Sequence, residues 1–182
     1  MSAGNPIHLP LEELGLGLPH VMSAPSDEGS VEMLVVRPEE NQRLTPASAQ
    51  VSASLGLHGD HWSTGKYRNQ PDIQIAIINS RLLDLVSGGD RERWASAGDN
   101  IVADLDLSHA NLVPGQKLEA GSAVLEITDT PHAGCKKFAS RFGADALRFV
   151  NIGQGTELRL RGVYARVLQD GSISVGDRIH KL

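Results

Sequence analysis

A single cysteine in 182 residues leaves no internal disulfide to form and rules out any metal centre built from several thiolates. Aromatic side chains are equally scarce. Three Phe, two Tyr and two Trp cannot supply the stacking platforms of a single-strand nucleic-acid groove. Nor is there a surplus of positive charge: 17 Lys and Arg face 22 Asp and Glu, for a net charge of -5. The first fifty residues hold seven acidic and two basic side chains, while residues 51–182 hold fifteen of each. The acidic excess therefore sits at the N-terminal end, the body is balanced, and nucleic acid is not expected as a partner. No apolar run approaches the ~18 residues of a membrane span. Met1 to Pro10 has neither the basic start nor the apolar core of a secretion signal. The expected setting is the reducing cytoplasm, away from any membrane.

What is present is enough for one domain with a hydrophobic core: 40% hydrophobic and 21% charged residues in a chain too short for two ordinary domains. Leu9 to Leu14 reads as a short helix stopped by Gly15 and Gly17, before a Ser-, Pro- and Asp-rich loop over Ser23 to Ser30. Val31 to Val36 is rich in β-branched residues and stops at Arg37-Pro38, which marks a strand. Thr45-Pro46 has the cap and first-position residues of a helical turn. Leu57 to Gln70 is a polar loop of functional composition. Asp72 to Ile78 alternates and then turns wholly apolar, a strand buried on both faces at its end, followed by a helix over Arg81 to Val86 that Gly88-Gly89 terminates. Asn100 to Leu107 alternates as a half-exposed strand. Hairpins are expected where Ala120-Gly121 separates 117–119 from 122–128, and where Gln169-Asp170-Gly171 separates 162–168 from 172–175. Cys135 to Phe142 has helical spacing. Strands outnumber helices without a βαβ repeat, so the fold class is mainly β and barrel-like with a few short helices.

The chemistry concentrates in Thr130-Pro131-His132-Ala133-Gly134-Cys135-Lys136-Lys137-Phe138. A helix that starts at Cys135 aims free N–H groups and its positive dipole end at the sulfur. Lys136 and Lys137 oppose that dipole but add potential that favours thiolate. Two readings of Cys135 stay open: a reactive thiolate, or a small apolar residue in the core. A protease-type pair with His132 is disfavoured, because the two lie in one loop without an orienting Asn or Asp. His58-Gly59-Asp60-His61-Trp62 holds metal-capable side chains, yet no further ligand group follows at a recognisable spacing. Asp60 as a loop cap, or the loop as a pocket wall near Cys135, are the other readings. Asp99 is either a turn residue or a ligand contact. Arg141, Arg148, Arg159, Arg161, Arg166 and Arg178 form a scatter that reads for the most part as a solvated face.

Taken together, Gly56 to Trp62, Ala97-Gly98-Asp99-Asn100-Ile101, Pro131 to Phe138, Arg161 to Val167 and Val175 to Ile179 resemble the MOSC domain, named for the C-terminal domain of molybdenum cofactor sulfurase. The resemblance implies a β-barrel of the pyruvate-kinase barrel type over residues 30–182, preceded by an N-terminal extension over 1–29. It also implies a cysteine, Cys135 here, that carries sulfane sulfur as a persulfide or ligates the molybdenum of molybdopterin. Around that cofactor the resemblance sets His58, Asp60, His61, Asn100, His132, Lys136, Lys137 and Arg166. A sulfur transferase and a component of a molybdenum-dependent oxidoreductase acting on N-hydroxylated compounds are the enzymatic readings; a non-catalytic module for small anions is the third. Pyridoxal phosphate is not expected in this chain, so a separate cysteine desulfurase or electron donor is the implied partner.

Overall fold

The computed structural model describes residues 7–182. Residues 1–6, part of the extension expected over 1–29, lie outside them. In chain order the elements are α1 (Leu11–Met22), β1 (Glu28–Leu34), β2 (Ser48–Ser52), β3 (Gly56–Leu57), β4 (Ile75–Asn79), α2 (Ser80–Ser87), β5 (Ile101–Asp104), β6 (Lys117–Ala120), β7 (Ala123–Ile127), α3 (Lys136–Phe142), α4 (Ala144–Asn151), α5 (Gln154–Glu157), β8 (Val163–Gln169), β9 (Gly171–Ser174) and β10 (Arg178–Lys181). Seven strands close a barrel in the order β1-β10-β6-β7-β8-β4-β5, and β3-β2-β9 forms a small separate sheet. Among the described residues only β4 and β5 pair in parallel, with α2 in the connection between them.

Two cores follow from the side-chain alternation. Ile75, Ile77, Ile101, Ala103, Leu125 and Ala165 fill the barrel. Ile78 and Val102 point the other way, into a second core with Leu14, Leu82, Phe138 and Phe142 from the helices. That second core corrects the half-exposed reading of residues 100–107: Val102 is buried under helices, and Asp104, next on that strand, is held by Arg81 at 2.7 Å.

Other local expectations also change. The first helix runs through both glycines to Met22, because a Cβ on Gly17 would sit 2.3 Å from Leu85 Cδ1; the glycine is there for close packing on α2. Thr45-Pro46 opens no helix and lies on the approach to β2. Residues 71–73 form a short 3-10 turn, so the strand begins only at Ile75. Residues 123–127 pair with 117–120 as a hairpin, but β9 leaves β8 and pairs with β2 instead. Helix α4, which no sequence signal marked, packs on α1 and α3.

Candidate functional site

The cysteine loop leaves β7 and is pinned at both ends. Thr128 Oγ1 donates to the Asp72 carbonyl at 2.7 Å. Asn151 of α4 clamps Gly134 twice: its Oδ1 accepts from Gly134 N at 2.8 Å and its Nδ2 donates to Gly134 O at 3.0 Å. Cys135 follows as the N-cap of α3, extended (φ -125°, ψ 178°), with its thiol exposed. Partial burial works to raise the thiol pKa. The backbone N–H groups of Phe138 and Lys137, which point toward the sulfur without closing a bond of full geometry, and the guanidiniums of Arg161 and Arg141 outweigh it, and the pKa falls below its ordinary value.

The sulfur opens onto a cleft of about 740 Å³ whose walls carry Arg37, Arg43, Arg141, Arg161 and Tyr164. Two of these arginines are neutralised. Arg37 is bidentate on Asp60, with Nε to Oδ2 at 2.7 Å and Nη2 to Oδ1 at 2.9 Å. Asn100 closes this network, donating from Nδ2 to Asp60 Oδ2 at 3.0 Å and accepting from Ala76 N at 3.0 Å. Burial alone would raise the Asp60 pKa, but the Arg37 guanidinium more than offsets it and holds the carboxylate below its usual range. Arg161 sets Nη1 on both oxygens of Asp99, at 2.7 and 2.8 Å, and lies over the Phe138 ring at 5.1 Å.

Arg43 and Arg141 meet no carboxylate among the described residues. The buried Nε of Arg43 has no partner. Burial, followed by repulsion from Arg141 and Arg37, pulls the Arg43 pKa below its usual value. Its own contacts are to backbone, Nη1 donating to the Gln42 carbonyl at 2.6 Å, and Arg141 Nη1 likewise donates to the Ser96 carbonyl at 2.5 Å. The segment that brings Arg37 and Arg43 to the cleft is a loop closed at its neck by the Val36–Leu44 bridge. On the rim Lys137 pairs with Glu40 at 2.5 Å, and Lys66 lies over the Tyr67 ring at 4.7 Å.

Behind the sulfur, His132 stacks on Tyr164 with ring centroids 4.1 Å apart. Its buried Nδ1 stops 3.6 Å short of Asp99 Oδ1 and has no hydrogen-bond partner. Burial, then the Arg161 cation, pushes the His132 pKa down to about 3, so the ring is neutral at physiological pH and adds no positive charge beside the thiol. Burial and the Asp99 carboxylate raise the Tyr164 pKa.

Four residues expected at the site reach this cleft: Cys135, His61, His132 and Lys137. His61 donates from Nδ1 to the Arg37 carbonyl at 2.8 Å. Asp60 and Asn100 lie one layer behind, acting on the cleft through Arg37. Lys136 is exposed and off the cleft wall. His58 turns away, its Nε2 on Ser52 Oγ at 2.9 Å, so His58, Asp60 and His61 point to three different partners and form no metal site; no group of three metal-capable side chains occurs among the described residues. Arg166 is a further correction. It lies on the outer face of β8, between buried Ala165 and Val167, paired with Glu126 and Asp72. The arginines on the cleft wall are Arg37, Arg43, Arg141 and Arg161. Two of these belonged to the scatter read as solvated face, and Arg37 and Arg43 drew no attention in the sequence beyond the stop at Arg37-Pro38.

A family model described as the MOSC domain matches residues 56–180. The YuaD protein from Bacillus subtilis is similar in structure, with a TM-score of 0.60 and 18% identity over 84% of this chain and 94% of that one. YiiM from Geobacillus stearothermophilus has a TM-score of 0.57 and 19% identity over 85% and 75% of the two chains. YiiM from Escherichia coli has a TM-score of 0.55 and 15% identity over 84% and 69%. At these identities the likeness establishes the fold alone. No curated protein matches the chain.

Proposed function

The chain belongs to the MOSC domain family, and from that premise we propose that it binds a molybdenum cofactor in the cleft, with Cys135 as the sulfur that meets the metal. The observation that carries this reading is the pair of unneutralised arginines, Arg43 and Arg141, beside an exposed thiol of lowered pKa. A buried guanidinium donor without a partner is unfavourable in the protein alone and is relieved by an anionic ligand. The residues fit a phosphate-bearing group with a planar body: Arg43 and Arg141 would take the phosphate, Tyr164 would flank the ring system, and the Cys135 thiolate would ligate the metal. When bound, the molybdenum centre supplies two-electron redox chemistry.

The chain's own residues have defined tasks in this reading. Asp99 fixes Arg161, whose charge adds to the backbone N–H groups of Phe138 and Lys137 in lowering the Cys135 pKa. Asp60 and Asn100 fix Arg37 at the cleft wall. His132, neutral and stacked, fills the space behind the sulfur without competing for its negative charge.

The exposure of the thiol favours a second reading, sulfur carriage, because a donor protein can reach it. The Cys135 thiolate would attack the terminal sulfur of a donor persulfide. The donor S–S bond breaks, the donor leaves as a thiolate, and Cys135 keeps the sulfane sulfur as a persulfide, whose negative charge Arg161 and Arg141 stabilise.

Two measurements on one preparation decide between them. Protein purified from a host that makes the cofactor should contain molybdenum and pterin, and the Arg43→Gln, Arg141→Gln double variant should lose both. Wild-type protein without either component would overturn cofactor binding. Incubation with a cysteine desulfurase and its substrate, read by intact mass, should add one sulfur atom to wild type and none to Cys135→Ser if Cys135 carries sulfur; no added sulfur would overturn carriage.

A further inference from the structure

On the far side of the cysteine loop lies a second cavity of about 510 Å³, separated from the cleft by His132, Ala133 and Arg161, which line both. Pro114, Pro131, Val150 and Val163 give it an apolar lining. Three charged groups line it: Arg161, whose charge is taken up by Asp99, and two of opposite sign. Arg159 lies half-buried on the wall, and Asp129 stands exposed at the edge. Burial lowers the Arg159 pKa, and the carboxylates of Asp106 and then Asp129 offset part of that; Arg159 and Asp129 act with opposite signs on His109, whose pKa burial lowers first. No ion pair joins them among the described residues.

Arg159 is also fixed in place. It is one of two non-glycine residues at positive φ among those described, at 48°, a conformation that a side chain with a Cβ rarely adopts without compensating contacts. Its Nη2 donates to the carbonyls of Ser108, at 3.2 Å, and Leu112. Its Nε is buried without a partner. The arrangement is a cation held rigidly by backbone, a carboxylate held apart from it, and an apolar lining around them. An anion alone would be repelled by Asp129, and a cation alone by Arg159. A ligand bearing both charges satisfies both.

We propose that this second cavity binds a small zwitterion, an amino acid or amino-alkanoate, with its carboxylate on Arg159 and its ammonium group on Asp129. The site needs neither the cofactor nor the thiol, so it stands or falls apart from the reading of the cleft.

Titration calorimetry with glycine, L-valine, 4-aminobutanoate and 6-aminohexanoate, with butanoate and butylammonium as single-charge controls, tests it. At least one zwitterion should bind about tenfold or more tighter than either control, since each control forfeits one charge contact. Asp129→Asn should remove that margin. Asp129 is exposed, so this variant keeps the fold, whereas Arg159→Gln breaks backbone contacts and is not used. Cys135→Ser should bind as wild type does. No zwitterion tighter than both controls, or a margin that survives in Asp129→Asn, would overturn the assignment.

Discussion

Asp99→Asn removes one negative charge from the least exposed arginine–carboxylate pair among the described residues and changes almost nothing in shape. The Asp99 side chain is 0% exposed and that of Arg161 is 9% exposed, and Arg161 Nη1 reaches both carboxylate oxygens. An asparagine keeps one acceptor and leaves the guanidinium as an uncompensated, largely buried charge, a change of about 3–5 kcal/mol in comparable pairs. The lower end applies here, because Arg161 retains its contact with the Phe138 ring and borders the open cleft. For a chain of this length each kcal/mol moves the melting temperature by roughly 2–4 °C. A loss of about 3 kcal/mol therefore lowers Tm by about 6–12 °C, readable by circular dichroism or calorimetry. Glu126→Gln cuts an exposed pair with Arg166 and serves as the control, with an expected effect below about 1 kcal/mol. The double variant Asp99→Asn, Arg161→Gln removes the stranded charge as well and should recover part of the loss. Asp99→Asn melting within about 2 °C of wild type, or a double variant no more stable than Asp99→Asn, would mean that Arg161 does not depend on Asp99 for its place.

Three further outcomes are expected. The rate of Cys135 alkylation should rise with pH along a curve whose midpoint lies below the free-thiol value of about 8.5, and Arg141→Gln should move that midpoint upward; a wild-type midpoint at or above the free-thiol value would contradict the electrostatics of the cleft. His132 is held neutral in the fold down to about 3, while the unfolded chain takes up its proton near 6.5. Its contribution to stability is therefore complete above 6.5 and lost as pH falls from there, by about 2 kcal/mol between pH 6.5 and 5. Urea unfolding at both pH values should show this loss in wild type, and it should disappear in His132→Gln; an equal loss in the variant would assign it to other groups. Asn151→Ala removes both bonds to Gly134, and hydrogen exchange across residues 129–135 should quicken while the barrel strands keep their protection. Uniform loosening of the barrel would show that the clamp is not local.

What could be read in the sequence was what depends on near neighbours. The apolar end of β4, the hairpin of β6 and β7, the Gly88 stop after α2 and the helix start at Cys135 all rest on residues within a few positions of one another. The misreadings rest on distant ones. Gly17 looks like a helix breaker until Leu85 is placed against it. Residues 171–174 look like the return strand of a hairpin until β2 offers a better edge. Val102 looks half-exposed until the helices cover it. The site divides in the same way. Cys135 stood out because its signals are local, whereas the meaning of an arginine depends on which carboxylate the fold sets opposite it.

That dependence sets the charge of the cleft wall in a chain with net negative charge. Four arginines stand around the thiol, but Asp60 and Asp99 cancel two of them, and those two pairs tie the loop at 37–43 to the segment after β3 and the start of β8 to the segment before β5. The surplus positive charge on the cleft wall is then concentrated on Arg43 and Arg141, which repel each other and leave a buried donor unused. Such a pair weakens the empty protein. A fold that tolerates it, while neutralising the arginines on either side, concentrates the unfavourable electrostatics at the place where a ligand phosphate would relieve it. The paired arginines shape the cleft, and the unpaired ones give it something to bind.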